Sequence, residues 1–170
     1  GSTLEENYPQ ADIFVRGYGE FALASIINHQ GKIVLQGVHY AGDVDLVEQT
    51  QVDLEILPSP WLTNVIDINN QIFIRWESQR GCPFKCGFCQ HKEAGSRLVK
   101  KWFDTSRIQS EIEYFCQQEV QDIAILDPIF NSDQRANNVL QHFIENGYTG
   151  RLSIQCRAEM TDDDFIEKAS

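Results

Sequence analysis

The stretch Gln71-Ile72-Phe73-Ile74-Arg75-Trp76-Glu77-Ser78-Gln79-Arg80-Gly81-Cys82-Pro83-Phe84-Lys85-Cys86-Gly87-Phe88-Cys89-Gln90-His91 decides how this chain reads. Gln71 to Glu77 alternate well enough for a β-strand. A loop with three cysteines in C-x3-C-x2-C spacing follows directly. Three thiolates on so short a loop can bind three irons of a [4Fe-4S] cube, which leaves the fourth iron open to a small ligand. The alternative is zinc. His91 stands two residues past Cys89, so Cys82, Cys86, Cys89 and His91 could make a tetrahedron of three thiolates and one imidazole. Zinc sites usually pair C-x2-C with a distant second pair, and this cluster has none.

A βα rhythm continues beyond the loop. Thr105 to Gln118 reads as an amphipathic helix with Ile108, Ile112, Phe115 and Cys116 on one face and Asp104 or Thr105 as N-cap. Asp122 to Leu126 reads as a buried strand ending at Asp127. Asp133 to Asn146 reads as a second helix, with Val139, Leu140, Phe143 and Ile144 inward and Gly147 as stop. Arg151 to Arg157 reads as a third strand, with Cys156 alternating with Leu152 and Ile154 as core. Thr161 is the expected cap of a last helix that opens on three aspartates.

Upstream, Ala11 to Val15 reads as a strand, Phe21 to His29 as a short helix, and Lys32 to Gln36 with Val38 to Tyr40 as a hairpin. Two prolines make Asp53 to Pro60 an extended linker, with a domain boundary between residues 58 and 70. The expected fold class is α/β, about three βα units of a partial (β/α) barrel over residues 66–170. Residues 3–65 precede it as an α+β segment with a hairpin and linker, and Gly1-Ser2 reads as a cloning remnant.

The cysteine loop resembles that of the radical S-adenosylmethionine (SAM) superfamily: C-x3-C-x-aromatic-C after a strand, with the lead-in Glu77-Ser78-Gln79-Arg80-Gly81-Cys82-Pro83. The resemblance implies an enzyme whose [4Fe-4S] cluster binds SAM at its open iron and cleaves it reductively. The 5′-deoxyadenosyl radical so formed would abstract hydrogen from a substrate that the sequence does not name. It implies Cys82, Cys86 and Cys89 as cluster ligands and Phe88 as the aromatic packed near the adenine. It puts Asp127 where many members hold the SAM amino group, although Leu126 to Asn131 lacks the usual glycine pair and resembles a D-x-x-F variant. Arg157, ending the third strand, is the candidate for the SAM carboxylate or ribose. The segment from Ala11 to Glu20, the helix and hairpin after it, and Asp53 to Pro60 resemble the stretch that joins a cobalamin-binding domain to the barrel. Cobalamin-dependent methyl transfer is the subclass this implies. The resemblance makes residues 3–65 the tail of a Rossmann-like cobalamin-binding domain, but the D-x-H-x-x-G cobalamin motif is absent from the sequence, so the expectation is that this domain either was cut away upstream or was never complete in this protein.

Composition sets bounds on this reading. With 170 residues the chain is short for an α/β barrel, which needs roughly 200 or more, so the piece alone is expected to be inactive. No apolar run approaches the ~20 residues of a membrane span. There is no secretory signal, so a cytoplasmic, reducing setting is expected. Net charge is -11, which disfavours nucleic acid as a partner. The charge is uneven, however. Residues 71–107 hold eight basic and three acidic side chains, +5, against -16 for the rest. Within this basic window, the Lys92 to Lys101 stretch suits docking of a small acidic electron donor of flavodoxin or ferredoxin type.

Overall fold

The computed structural model describes residues 3–29, 31–89 and 99–170. They form two compact units that meet in sequence at Asp53 and Leu54.

The first unit opens on α1 (Leu4–Asn7), which Thr3 and Glu6 close with a reciprocal capping box. A two-stranded antiparallel ribbon follows, β1 (Ile13–Val15) against β2 (Val38–Tyr40), with α2 (Glu20–Asn28) between them in sequence. Phe14 faces His39 in the register, and their rings stack with centroids 4.8 Å apart. The expected hairpin does not form, because β2 takes β1 as its partner and residues 32–36 stay outside the ladder. Gly37 explains the switch. Its φ is +74°, and a Cβ there would lie 2.3 Å from the Thr50 nitrogen. Only glycine allows the chain to turn this close to a third segment.

The second unit is α/β. In chain order it contains β3 (Phe73–Trp76), β4 (Gln79–Arg80), β5 (Lys101–Trp102), α3 (Thr105–Gln117), β6 (Asp122–Ile125), α4 (Arg135–Glu145), β7 (Arg151–Ser153) and α5 (Asp163–Ala169). β3, β6 and β7 pair in parallel in that order, with Ile74 beside Ile123 and Ile123 beside Leu152. Alternation gives the sheet two unlike faces. Ile74, Trp76, Ile123 and Ile125 are buried on one, while Phe73 and Arg75 are exposed on the other. The buried face packs against the apolar stripes of the helices. The Trp76 ring meets Phe115 of α3 and Phe143 of α4 edge-on, each at 5.9 Å.

Several expectations need correcting. The stretch Asp53 to Pro60, taken for an extended linker, folds onto this unit: Leu54 is 2% exposed, and the Leu57 carbonyl accepts from Arg107 of α3 at 2.7 Å. Ser59 makes the turn, accepting from the Leu62 and Thr63 nitrogens, so the prolines start a turn instead of extending the chain. Glu111 joins the buried stripe of α3 and Cys116 is only half-buried. Ile144 of α4 is exposed. α4 begins two residues late because the Asp133 side chain accepts from the Arg135 nitrogen and holds the preceding turn. β7 ends at Ser153, a 3-10 turn covers Ala158–Met160, and Cys156 is exposed. Asp162, not Thr161, caps α5 by accepting from the Phe165 nitrogen at 2.8 Å. Among the described residues no helix is long and apolar enough to cross a membrane.

Candidate metal and cofactor site

Parallel strands finish at a common edge, and in α/β sheets ligands gather outside those carboxyl ends. Here the edge receives three segments: the cysteine loop leaving β3, the Asp127 to Asn131 segment leaving β6, and the Gln155 to Arg157 segment leaving β7. Backbone bonds hold them together, Leu126 N to Trp76 O and Phe130 N to Gln155 O, both 2.7 Å.

The cysteine loop begins at a pinch. β4 and β5 pair antiparallel, Gln79 opposite Trp102 and Arg80 opposite Lys101, so the two limbs of the segment meet at its base. Gly81 makes the closure possible. At φ +88° its α-carbon faces the Val99 carbonyl, and a Cβ would sit 2.5 Å from that oxygen. Strands of two residues have no readable period, so this pair is seen only in the folded chain.

Cys82, Cys86 and Cys89 follow as half-buried free thiols. The Cys89 nitrogen donates to the Cys86 carbonyl at 3.1 Å, which folds the C-x2-C half into a turn. The donor chemistry fits an iron-sulfur cluster: three thiols on one loop. Among the described residues no three His, Cys, Asp or Glu side chains converge on one point. His91, the fourth donor of the zinc alternative, lies outside the described residues. Phe88 is 93% exposed beside Cys89, a bare aromatic face at the loop tip.

Asp127 is placed differently from a residue reaching for a ligand amine. It is fully buried, and its carboxylate accepts from the Ser78 nitrogen (2.8 Å), the Ser78 hydroxyl (2.5 Å) and the Gln79 nitrogen (3.1 Å). Gln79 adds a fourth tie, donating from Nε2 to the Ile129 carbonyl at 2.5 Å, while its buried Oε1 has no partner among the described residues. The β6 exit thus grips the backbone where the cysteine loop begins. Burial pushes the Asp127 carboxyl up to about 6, against the opposing pull of the bonds from Ser78 and Gln79.

Arg157 reaches the cysteine loop. Its guanidinium lies over the Phe84 ring at 4.1 Å, and Nη1 is 3.9 Å from the Cys86 sulfur. Nε donates to Glu159 at 2.6 Å. Asn131, which sequence reasoning did not single out, holds the Arg157 backbone on both sides. Its Oδ1 accepts from the Arg157 nitrogen and its Nδ2 donates to the Arg157 carbonyl, both at 2.9 Å. The only sequence signal for Asn131 was its place four residues past Asp127 in a strand exit.

Much of the basic charge in residues 71–107 is spent internally. Arg80 pairs with Glu77, Lys100 with Asp133, and Arg107 with Glu111. Arg75 and Lys85 are exposed, and Lys92 and Arg97 fall outside the described residues. A cavity of about 620 Å³ lies at the other edge of the sheet, between Gln121, Asp122, Tyr148 and Arg151. It opens beside the starts of β6 and β7, away from the cysteine loop.

No protein-family model matches the chain. It is 29% identical to the cobalamin-dependent radical SAM methyltransferase TokK of Streptomyces tokunonensis, over 74% of this chain and 21% of that protein. It is also 29% identical to the 2-(S-pantetheinyl)-carbapenam-3-carboxylate methyltransferase of Streptantibioticus cattleyicolor, over 72% of this chain and 20% of that protein. The chain therefore spans about a fifth of the length of the curated relatives it matches. Its fold matches the radical SAM methyltransferase TsrM of Kitasatospora setae, solved with tryptophan substrate and a SAM analogue. The TM-score is 0.67 at 16% identity, over 95% of this chain and 35% of that one. A second TsrM structure, with cobalamin and a [4Fe-4S] cluster bound, matches at TM-score 0.65 and 15% identity, over 95% of this chain and 36% of that one. The cysteine loop and the similarity along the chain point the same way: the chain is similar to a cobalamin-dependent radical SAM methyltransferase and to a second methyltransferase, and shares the fold of a third.

Proposed function

We propose that this chain supplies the cluster-and-SAM-binding part of a cobalamin-dependent radical SAM methyltransferase, with β3, β6 and β7 as the first strands of its barrel. The observation that carries the reading is the C-x3-C-x2-C loop launched from the carboxyl end of a parallel strand and pinched at its base by β4 and β5. Cys82, Cys86 and Cys89 would hold three irons of a [4Fe-4S] cluster. A bound cluster would supply one-electron reductive cleavage of SAM, with methionine as the leaving group, and so the means to take hydrogen from a substrate. Phe88 offers its open ring to the adenine. Asp127 acts from below, fixing Ser78 and Gln79 so that the loop leaves β3 in one direction. No residue of this chain is assigned to cobalamin, since D-x-H-x-x-G is not in the sequence. The electron needs a donor, for which a small acidic redox protein is the fitting class, with exposed Lys85 as a docking charge.

Anaerobic reconstitution with iron and sulfide tests the reading. The expected product has [4Fe-4S] absorption and an EPR signal that SAM perturbs. Cys86→Ala should abolish iron uptake and Cys116→Ala should leave it unchanged; equal loss from both would refute the ligand assignment. One tight zinc per chain with no iron uptake would instead support a zinc-stabilised binding module, which the homologues do not favour.

A further inference from the structure

Arg157 and Cys86 are 71 residues apart in sequence, yet they meet at the edge where all three parallel strands end. Two separate contacts run from this one guanidinium to the cysteine loop: the face of Phe84 at 4.1 Å and the sulfur of Cys86 at 3.9 Å. Arg157 is also held in place. Asn131, only 5% exposed, bonds its backbone nitrogen and carbonyl as a neighbouring strand would, although β7 has ended by then. Glu159 accepts from Nε and sets the plane of the fork. The planar guanidinium is suited to stacking and donating at once, which a lysine ammonium is not.

We propose that Arg157 is a positioning residue that fastens the cysteine loop and sets its charge environment, with Asn131 as its anchor. The proposal rests on the reading of Cys86 as a cluster ligand and assigns Arg157 a task other than meeting the SAM carboxylate. The stack on Phe84 holds down the middle of the loop. The N–H directed at Cys86 places a donor and a fixed positive charge against a ligand sulfur. Hydrogen bonds to cluster sulfurs and nearby positive charge stabilise the reduced cluster, because reduction adds an electron to it.

Two measurements test this, one without iron. In the cluster-free chain, trypsin cleavage after Lys85 reports opening of the loop, since cleavage follows the open population when opening is fast. Arg157→Gln should speed that cleavage about fivefold, the worth of one stacked cation. Cleavage after Arg135 within α4 should stay unchanged. Asn131→Ala should act in the same direction, which keeps the test alive if Arg157→Gln does not fold. Unchanged cleavage after Lys85 in both variants would overturn the tether.

In the reconstituted chain, Arg157→Gln should retain its iron but hold about tenfold less reduced cluster at a fixed potential. That is a midpoint about 59 mV more negative for one electron. Arg157→Lys should recover only part of the shift. An unchanged midpoint with weakened SAM binding would overturn the charge-setting role in favour of direct contact with SAM. A parent chain that takes up no iron would overturn the cluster reading, and the proteolysis ratio would still decide the tether.

Discussion

The two sides of the parallel sheet's core are held by different forces. The helix-covered face relies on apolar burial: Ile74, Trp76, Ile123, Ile125, Ile112, Phe115 and Phe143 are each at most 2% exposed. A polar knot, Trp76 Nε1 to Glu111 at 2.6 Å and Arg107 Nε to Glu111 at 2.9 Å, lies within that packing. The carboxyl edge buries Ile129 and Phe130 as well, but it has a second kind of tie. It is tied by side chains bonding to backbone: Asp127 to Ser78 and Gln79, Gln79 to Ile129, and Asn131 to Arg157. Burial is non-directional and tolerates small shifts, whereas these bonds fix direction as well as distance. The fold is secured on the first side and the cysteine loop is aimed from the second.

Removing bulk from the helix-covered face gives the largest expected effect. Phe115 is fully buried and touches the rings of Trp61, Trp76 and Tyr114. Phe115→Ala should cost about 4 kcal/mol in urea unfolding. A loss below about 1 kcal/mol would mean that this layer is not the main store of stability. Glu111→Ala comes next, at about 3 kcal/mol, because it strands the Trp76 N–H and the buried part of Arg107.

Asp127 sharpens the contrast, because a polar tie responds to pH and apolar burial does not. Its carboxyl sits at about 6 in the fold against an ordinary 3.8. A raised acid favours the protonated folded state. Its contribution is therefore full below about pH 4 and is lost as pH rises through about 6. The two-unit shift corresponds to roughly 3 kcal/mol at most. Asp127→Asn removes the titration and keeps an acceptor for the two backbone nitrogens. Plotted against pH from 4 to 7, the variant's stability minus the parent's should rise by up to that amount. Asp127→Ala keeps no acceptor and should cost about 2 kcal/mol at pH 7. Parallel pH curves for parent and Asn variant would mean that the carboxylate is not buried as described.

The same contrast separates what sequence can reveal from what it cannot. α3, β6 and α4 follow from the spacing of Ile108, Ile112, Phe115, Ile123, Val139 and Phe143, since periodicity is local. The three loop cysteines also lie within eight residues, so their chemistry could be read without coordinates. The edge could not. Asp127 bonds residues 48 and 49 positions away and Asn131 one 26 positions away, and no periodicity encodes such pairings. Asp127 was found by its position after a strand, but its burial and its three donors appear only in the folded chain. The exposure of Cys156 was hidden for the opposite reason: Leu152, Ile154 and Cys156 alternate as a strand would, but the strand has already ended.

The smallest expected effect on stability lies on the exposed crown of the loop, where neither kind of tie operates. Lys85 is exposed and takes no part in the ion pairs that consume Arg80, Lys100 and Arg107. Lys85→Glu should change unfolding free energy by less than about 0.5 kcal/mol, as surface substitutions do. If the crown receives an acidic electron donor, the reversal should slow reduction of the reconstituted cluster, and added salt should narrow the gap between parent and variant. Lys100→Glu is a poorer probe, because it also breaks the pair with Asp133 and mixes folding with docking. Equal reduction rates for parent and Lys85→Glu at low salt would remove Lys85 from the docking surface. The basic excess of residues 71–107 would then count chiefly as internal pairing.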